Sequence, residues 1–213
     1  MNRFTKFKKL LIIGASGHGK VIADIALKME CYSEISFLDD DPMKKNCMNF
    51  PIIGKLSDVL LYKNEYDMFI AIGNNEIRRK IHFFLEENHI FIPVLAHPTA
   101  SVGINADLQP GTAIMAGAVI NSEAKIGKSV IINTLASVDH DCDVGNFCHL
   151  SPGAHLSGTV KLGENCWVGV GACVKNNLSI CDDTTLGAGA VVVKSIDEKG
   201  IYIGVPAKRM IKK

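Results

Sequence analysis

The sequence predicts an α/β domain over residues 1–97 followed by an all-β parallel β-helix over residues 98–213. Three observations predict them. Strand and helix patterns alternate through the first ninety-odd residues, as a small parallel α/β sheet requires. The alternation stops at "FIPVLAHPTA", where Pro93 and Pro98 mark the boundary. From Val102 an aliphatic residue recurs at every sixth position, and a repeat that short is the mark of a parallel β-helix.

In order, "KLLIIGAS" reads as a short aliphatic strand and "GHGKVIADIALKM" as a helix opened by glycine. "EISFLDDD" gives a second strand, "DMFIAIGNN" a third, and "EIRRKIHFFLEEN" an amphipathic helix. In the second half, stepping by six from Val102 to Val192 meets only Val, Leu or Ile. Two residues before each stands a compact or apolar residue, with Leu178 the only bulky exception. Three hexapeptides make one triangular coil, so every eighteenth residue stacks on its predecessor. Val102, Ile120, Val138, Leu156, Val174 and Val192 are expected to form one interior column.

Composition narrows the partners. The 213 residues are long enough to bury a core, and 23 basic against 22 acidic side chains give no field that would draw nucleic acid or anionic lipid. "LLII" near the start is too short for a signal-peptide core, and no window approaches the ~18 apolar residues of a membrane span. A cytoplasmic protein without membrane insertion is expected. Seven cysteines, an odd number without a CxxC pair, fit reduced thiols.

Cys142, Cys148 and Cys166 occupy the compact slot, where alanine would also serve. Cys142 also lies between Asp141 and Asp143, which disfavours a thiolate nucleophile. Cys148 and Cys166, eighteen apart, should stack on neighbouring coils. His140, inside the triplet Asp139–His140–Asp141, fits neither slot and should project from its coil. It is either an exposed turn residue or a general base, an imidazole whose tautomer the adjacent carboxylate fixes.

"GASGHGK" sets Gly14, Gly17 and Gly19 between a strand and a helix, where backbone N–H groups can approach a phosphate. Asp39 to Asp41 follow the second strand, either as a solvated turn or as acids reaching a ribose or base. A domain of this size makes one mononucleotide-binding, Rossmann-like half, which suits a single nucleotide carrying a sugar better than a dinucleotide.

These motifs, with "FLDD" at 37–40, "IAIGNNEIR" at 70–78, "INTLASVDHDCDVG" at 132–145 and "GVPAKRM" at 204–210, carry a resemblance over practically the whole chain. The sequence resembles the hexapeptide-repeat acyltransferases of the sialic-acid O-acetyltransferase family, and within it the UDP-4-amino-sugar N-acetyltransferases of the kind serving bacillosamine synthesis. The resemblance implies a left-handed β-helix, acetyl-CoA as acyl donor, a UDP-amino sugar as acceptor, no metal, and a homotrimer with the CoA site between subunits. It assigns His140 as the base and Asp141 as its orienting acid. Asp141 is one methylene shorter than the glutamate of the family pattern. Asn133 and His149 would lie near the thioester, and Gly158, Gly187, Ala188 and Gly189 along the pantetheine arm. Gly14, Ser16, Gly17, His18, Gly19, Asp39, Asp40, Gly73 and Asn74 would face the nucleotide-sugar. The same fold carries zinc-dependent enzymes, but the spacings of His140, His149 and His155, nine and six, do not match their histidine pair. An O-acetyltransferase acting on sialic acid or another capsule or exopolysaccharide precursor is the alternative activity. A metal-dependent lyase and a catalytically silent β-helix are the readings from other classes.

Overall fold

The computed structural model describes residues 8–210, and the chain divides into two compact units, Met1–Leu95 and Ala96–Lys213. In the first unit, β1 (Lys8–Ile13) leads into α1 (Gly17–Lys28), then β2 (Tyr32–Leu38), β3 (Asn46–Cys47) and β4 (Phe50–Gly54). A 3-10 helix (Leu56–Tyr62), β5 (Asp67–Ile70) and α2 (Asn75–Glu87) complete it. The sheet order is β3-β4-β2-β1-β5, with β3 alone antiparallel to its neighbour. Leu11, Ile13, Leu38, Met68 and Ile70 pack one sheet face against Val59, Ile81 and Leu85. Each such fully buried aliphatic side chain contributes about 1.5–3 kcal/mol.

The strand–helix reading missed β3, β4 and the 3-10 helix. β3 and β4 form a hairpin whose turn residues, Met48 and Asn49, both have left-handed φ, 50° and 69°. That geometry usually announces itself as Asn-Gly or Asp-Gly. Here Met-Asn hides it, and Pro51 further masks β4.

The four parallel strands lie in the order third, second, first, fourth, which places a topological switch point between β1 and β5. Ligands of open α/β sheets bind outside the carboxyl ends of the strands at such a point.

The second unit is a left-handed parallel β-helix of two-residue strands joined by four-residue turns. Between Ser101 and Val192 pairing links strands eighteen residues apart, so that Val102, Ile120, Val138, Leu156, Val174 and Val192 stack as expected. The column is buried from Ile120 onward, whereas Val102 at its open end is 42% exposed.

The corners obey a rule that the apolar pattern does not reveal. From Asn105 to Gly189 every sixth residue has a left-handed φ, including Leu135, Asp141 and Phe147. Left-handed geometry costs a non-glycine residue roughly 1–2 kcal/mol. From Glu123 onward each of these residues donates its N–H to a carbonyl one coil back, as Asp141 does to Ser122 and Thr159 to His140. These ladder bonds hold the corners in place.

The compact slot is likewise more than an alanine equivalent. Thr112, Cys142, Cys148 and Cys166 each donate from the side chain to the carbonyl fifteen residues on. Strand pairing places Cys148 and Cys166 on neighbouring coils, and neither is in a disulfide.

Candidate active site

In the first unit the predicted nucleotide-facing residues gather at the carboxyl ends of the strands. Gly14 closes the β1–α1 turn with φ 104° and donates its N–H to Leu38 O at 2.8 Å. Gly19 lets α1 approach this turn, since a Cβ there would lie 2.1 Å from Gly14 O. Gly17 differs, because nothing lies within 4 Å of its missing Cβ. Ser16 is exposed at the N-cap of α1 and makes no side-chain capping bond.

His18 follows on α1, with Nε2 buried and no hydrogen-bond partner among the described residues. Burial, reinforced by the nearby Arg78 cation, pulls its pKa down to about 4. The ring is therefore neutral at physiological pH.

Asp39 is largely spent on the protein itself. Oδ2 accepts from Ala15 N–H at 2.7 Å, and Oδ1 accepts from Asp41 N–H and Lys44 Nζ. Burial raises its pKa, but these donors outweigh burial and hold the carboxyl below its ordinary value. Asp40 accepts from Leu56 N–H at 2.9 Å and lines an open cavity of about 450 Å³ with Leu56, Ser57, Lys80, Ile81 and Phe84.

Gly73 and Asn74 lie across the switch point, after β5. A Cβ on Gly73 would meet nothing within 4 Å. Asn74 caps α2, its side-chain oxygen accepting from Ile77 N–H at 3.0 Å.

In the second unit, His140 and Asp141 occupy one corner. His140 Nδ1 lies 2.7 Å from Asp141 Oδ2, so the shorter acid reaches the ring. A carboxylate only accepts, so the proton sits on Nδ1 and Nε2 presents its lone pair. The Asp141 hydrogen bond, with the Asp139 charge, raises the His140 pKa above its ordinary value. Asp139 Oδ1 accepts from His140 N–H and from Asn121 Nδ2, both at 2.8 Å, and so anchors the histidine's backbone. Gly158 lies one coil on, with its missing Cβ only 2.7 Å from His140 Nε2. It serves the imidazole directly, whatever else it touches.

The remaining predicted residues lie elsewhere on the coil. Asn133 starts the preceding corner, and Gly187, Ala188 and Gly189 occupy that same corner three coils on. His149 sits on the flat strand leading toward it, 8% exposed, with Nε2 3.2 Å from Asn133 Nδ2. Its ring packs on Trp167, centroids 4.2 Å apart. A single chain thus joins His140 to Asp141 and Gly158, and Asn133 to His149, but sets the two groups at different places on the prism.

Sequence reasoning missed Asn121, Trp167 and Arg78. The first two had a usable signal, since Asn121 stands eighteen residues before Asp139 and Trp167 eighteen after His149. Among the described residues no three His, Cys, Asp or Glu side chains converge to hold a metal. None of the described helices is long and apolar enough to cross a membrane.

Residues 9–83 match the PglD N-terminal domain family. The acetyltransferase domain of PglB from Neisseria gonorrhoeae, solved in complex with acetyl coenzyme A, is 42% identical over 95% of this chain and 99% of its own, with a TM-score of 0.92. PerB from Caulobacter crescentus, solved with CoA and GDP-perosamine, is 37% identical over 95% of this chain and 97% of its own, with a TM-score of 0.88. A GDP-perosamine N-acetyltransferase of Escherichia coli O157:H7 is 28% identical over 155 residues, 70% of either chain. The chain belongs to the PglD-like hexapeptide-repeat sugar N-acetyltransferases.

Proposed function

We propose that this protein transfers the acetyl group of acetyl-CoA to the 4-amino group of a UDP-4-amino-4,6-dideoxy-N-acetylhexosamine, with His140 as general base. Acetyl-CoA-dependent N-acetylation of an amino sugar is the activity of its family. The product is a UDP-di-N-acetylated sugar suited to glycan or polysaccharide synthesis.

The observation that carries the reading is the 2.7 Å hydrogen bond between His140 and Asp141, which commits Nδ1 as donor and leaves Nε2 as base. The acceptor amine attacks the thioester carbonyl, its proton passes to Nε2, and the new C–N bond forms. Collapse of the tetrahedral intermediate breaks the C–S bond, and the imidazolium returns the proton to the departing sulfur. Asp141 stabilises the imidazolium formed between these steps.

The first unit would hold the nucleotide at its switch point, with Gly14, Ser16, Gly17, His18, Gly19, Gly73 and Asn74 toward the diphosphate. Asp39 braces the glycine turn, and Asp40 borders a cavity large enough for a base. The separation of His140 from Asn133, His149 and Gly187–Gly189 supports a homotrimer in which one subunit supplies the base and its neighbour the acyl-donor contacts. Mixing His140→Ala with His149→Ala subunits would then restore activity that neither variant has alone.

CoA release with UDP-4-amino-4,6-dideoxy-N-acetylglucosamine, GDP-perosamine and sialic acid tests the acceptor. The UDP-amino sugar should react fastest. Preference for GDP-perosamine would change the base but keep the amine, and turnover of sialic acid alone would replace N- with O-acetylation.

A further inference from the structure

We infer that Arg78 is a positioning residue for the acceptor: it grips the Ile72 and Gly73 carbonyls from behind and so turns the Gly73 and Asn74 N–H groups toward a nucleoside diphosphate. The inference rests on the reading of the first unit as the nucleotide-sugar clamp.

Arg78 belongs to α2 and is 1% exposed, although it is charged. Its Nη1 donates to Ile72 O and to Gly73 O, each at 3.0 Å. Nη2 donates to Asn75 Oδ1 at 2.9 Å, which fixes the plane of the guanidinium. A trans peptide is planar, with its C=O and N–H pointing opposite ways. Two successive carbonyls drawn toward Arg78 therefore aim the next N–H groups, those of Gly73 and Asn74, away from it. Gly73 has open space where a Cβ would stand, and Asn74 is exposed. The start of α2 adds its dipole in the same sense.

The same cation stands near the other wall of the switch point, where it helps burial keep His18 neutral. Burying a guanidinium is costly unless its donors are used. Here its fork is used to orient backbone at the mouth of the crevice. Lysine offers a point charge without the planar fork and cannot reproduce this geometry.

The test compares full-length wild type with Arg78→Met, Arg78→Lys and Asn75→Ala, by calorimetric titration with UDP and GDP and by steady-state kinetics for both substrates. The Kd for UDP and the KM for the amino sugar should rise about 10–100-fold in Arg78→Met, as small misplacements of binding groups do. Arg78→Lys should recover only part of the loss, Asn75→Ala should fall between, and the KM for acetyl-CoA should stay at its wild-type value. If Arg78→Met fails to fold, the other two variants decide. A folded variant that binds UDP as tightly as wild type overturns the role of Arg78 but leaves the clamp reading standing. Failure of the wild type to bind either nucleotide overturns the clamp reading and this inference together. Parallel loss of affinity for both substrates with a lowered melting temperature makes Arg78 a folding residue only.

Discussion

A Cβ on Gly158 would stand 2.7 Å from Nε2 of His140 and 2.8 Å from its Cε1, so the imidazole rests against backbone that only glycine leaves bare. Gly158 has no left-handed φ, so alanine would meet the ring and not a backbone barrier. Gly158→Ala should displace the base and lower kcat about 10–100-fold, with little change in melting temperature. Steady-state kinetics for both substrates check this. A rise confined to the KM for acetyl-CoA would instead assign Gly158 to the pantetheine arm alone.

The pH profile follows from the Asp141 contact. A base must be unprotonated to act, and the His140 pKa is raised first by its hydrogen bond to Asp141 and then by the Asp139 charge. The rate should therefore rise with pH through an apparent pKa above the ordinary 6.5 of histidine. Asp141→Asn keeps a residue that tolerates the left-handed corner but removes the main cause of the shift. Its ascending limb should move to lower pH while kcat falls. Profiles taken under saturating acceptor compare the two enzymes, and an unmoved limb would mean that another group titrates.

Two glycines of one turn should separate packing from binding. Gly19→Ala sets a Cβ 2.1 Å from Gly14 O and should lower the melting temperature sharply. Gly17→Ala meets nothing in the protein, so stability should hold while the KM for the nucleotide-sugar rises. Thermal melts alongside kinetics distinguish them. A normal KM in Gly17→Ala would remove that glycine from the acceptor site.

Trp167 is the only tryptophan of the chain and packs on His149. If His149 meets the thioester, acetyl-CoA should change tryptophan emission in wild type and much less in His149→Ala. Emission that stays constant through saturating acetyl-CoA would place the donor away from this ring pair.

The sequence showed the repeat most clearly because the interior column and its small partners must both be apolar, and that demand leaves a period. The corners left a fainter one, since ten of the fifteen left-handed positions from Asn105 to Gly189 hold Gly, Asn or Asp. Leu135 and Phe147 break it, because ladder hydrogen bonds enforce there a left-handed geometry that their side chains do not announce. The β3–β4 hairpin was hidden for a related reason, a Met48–Asn49 turn held by its context. At the site, His140 was visible because an imidazole between two acids has no place in the apolar pattern. Arg78 was not, since on a helix already rich in basic residues nothing marks the one that turns inward. Asp39 was visible as an acid after a strand, but its hydrogen bond to Ala15, 24 residues earlier, depends on the folded sheet.

The proposed role of His140 as base for acetyl transfer to a sugar amine is read by single-turnover acetyl transfer to the amino sugar by His140→Ala, beside wild type, with both substrates saturating. The rate constant should fall by about 10²–10⁴, with bound acetyl-CoA and nucleotide-sugar retained. A variant that transfers acetyl at the wild-type rate would contradict that assignment and return the Asp139–His140–Asp141 corner to a structural role.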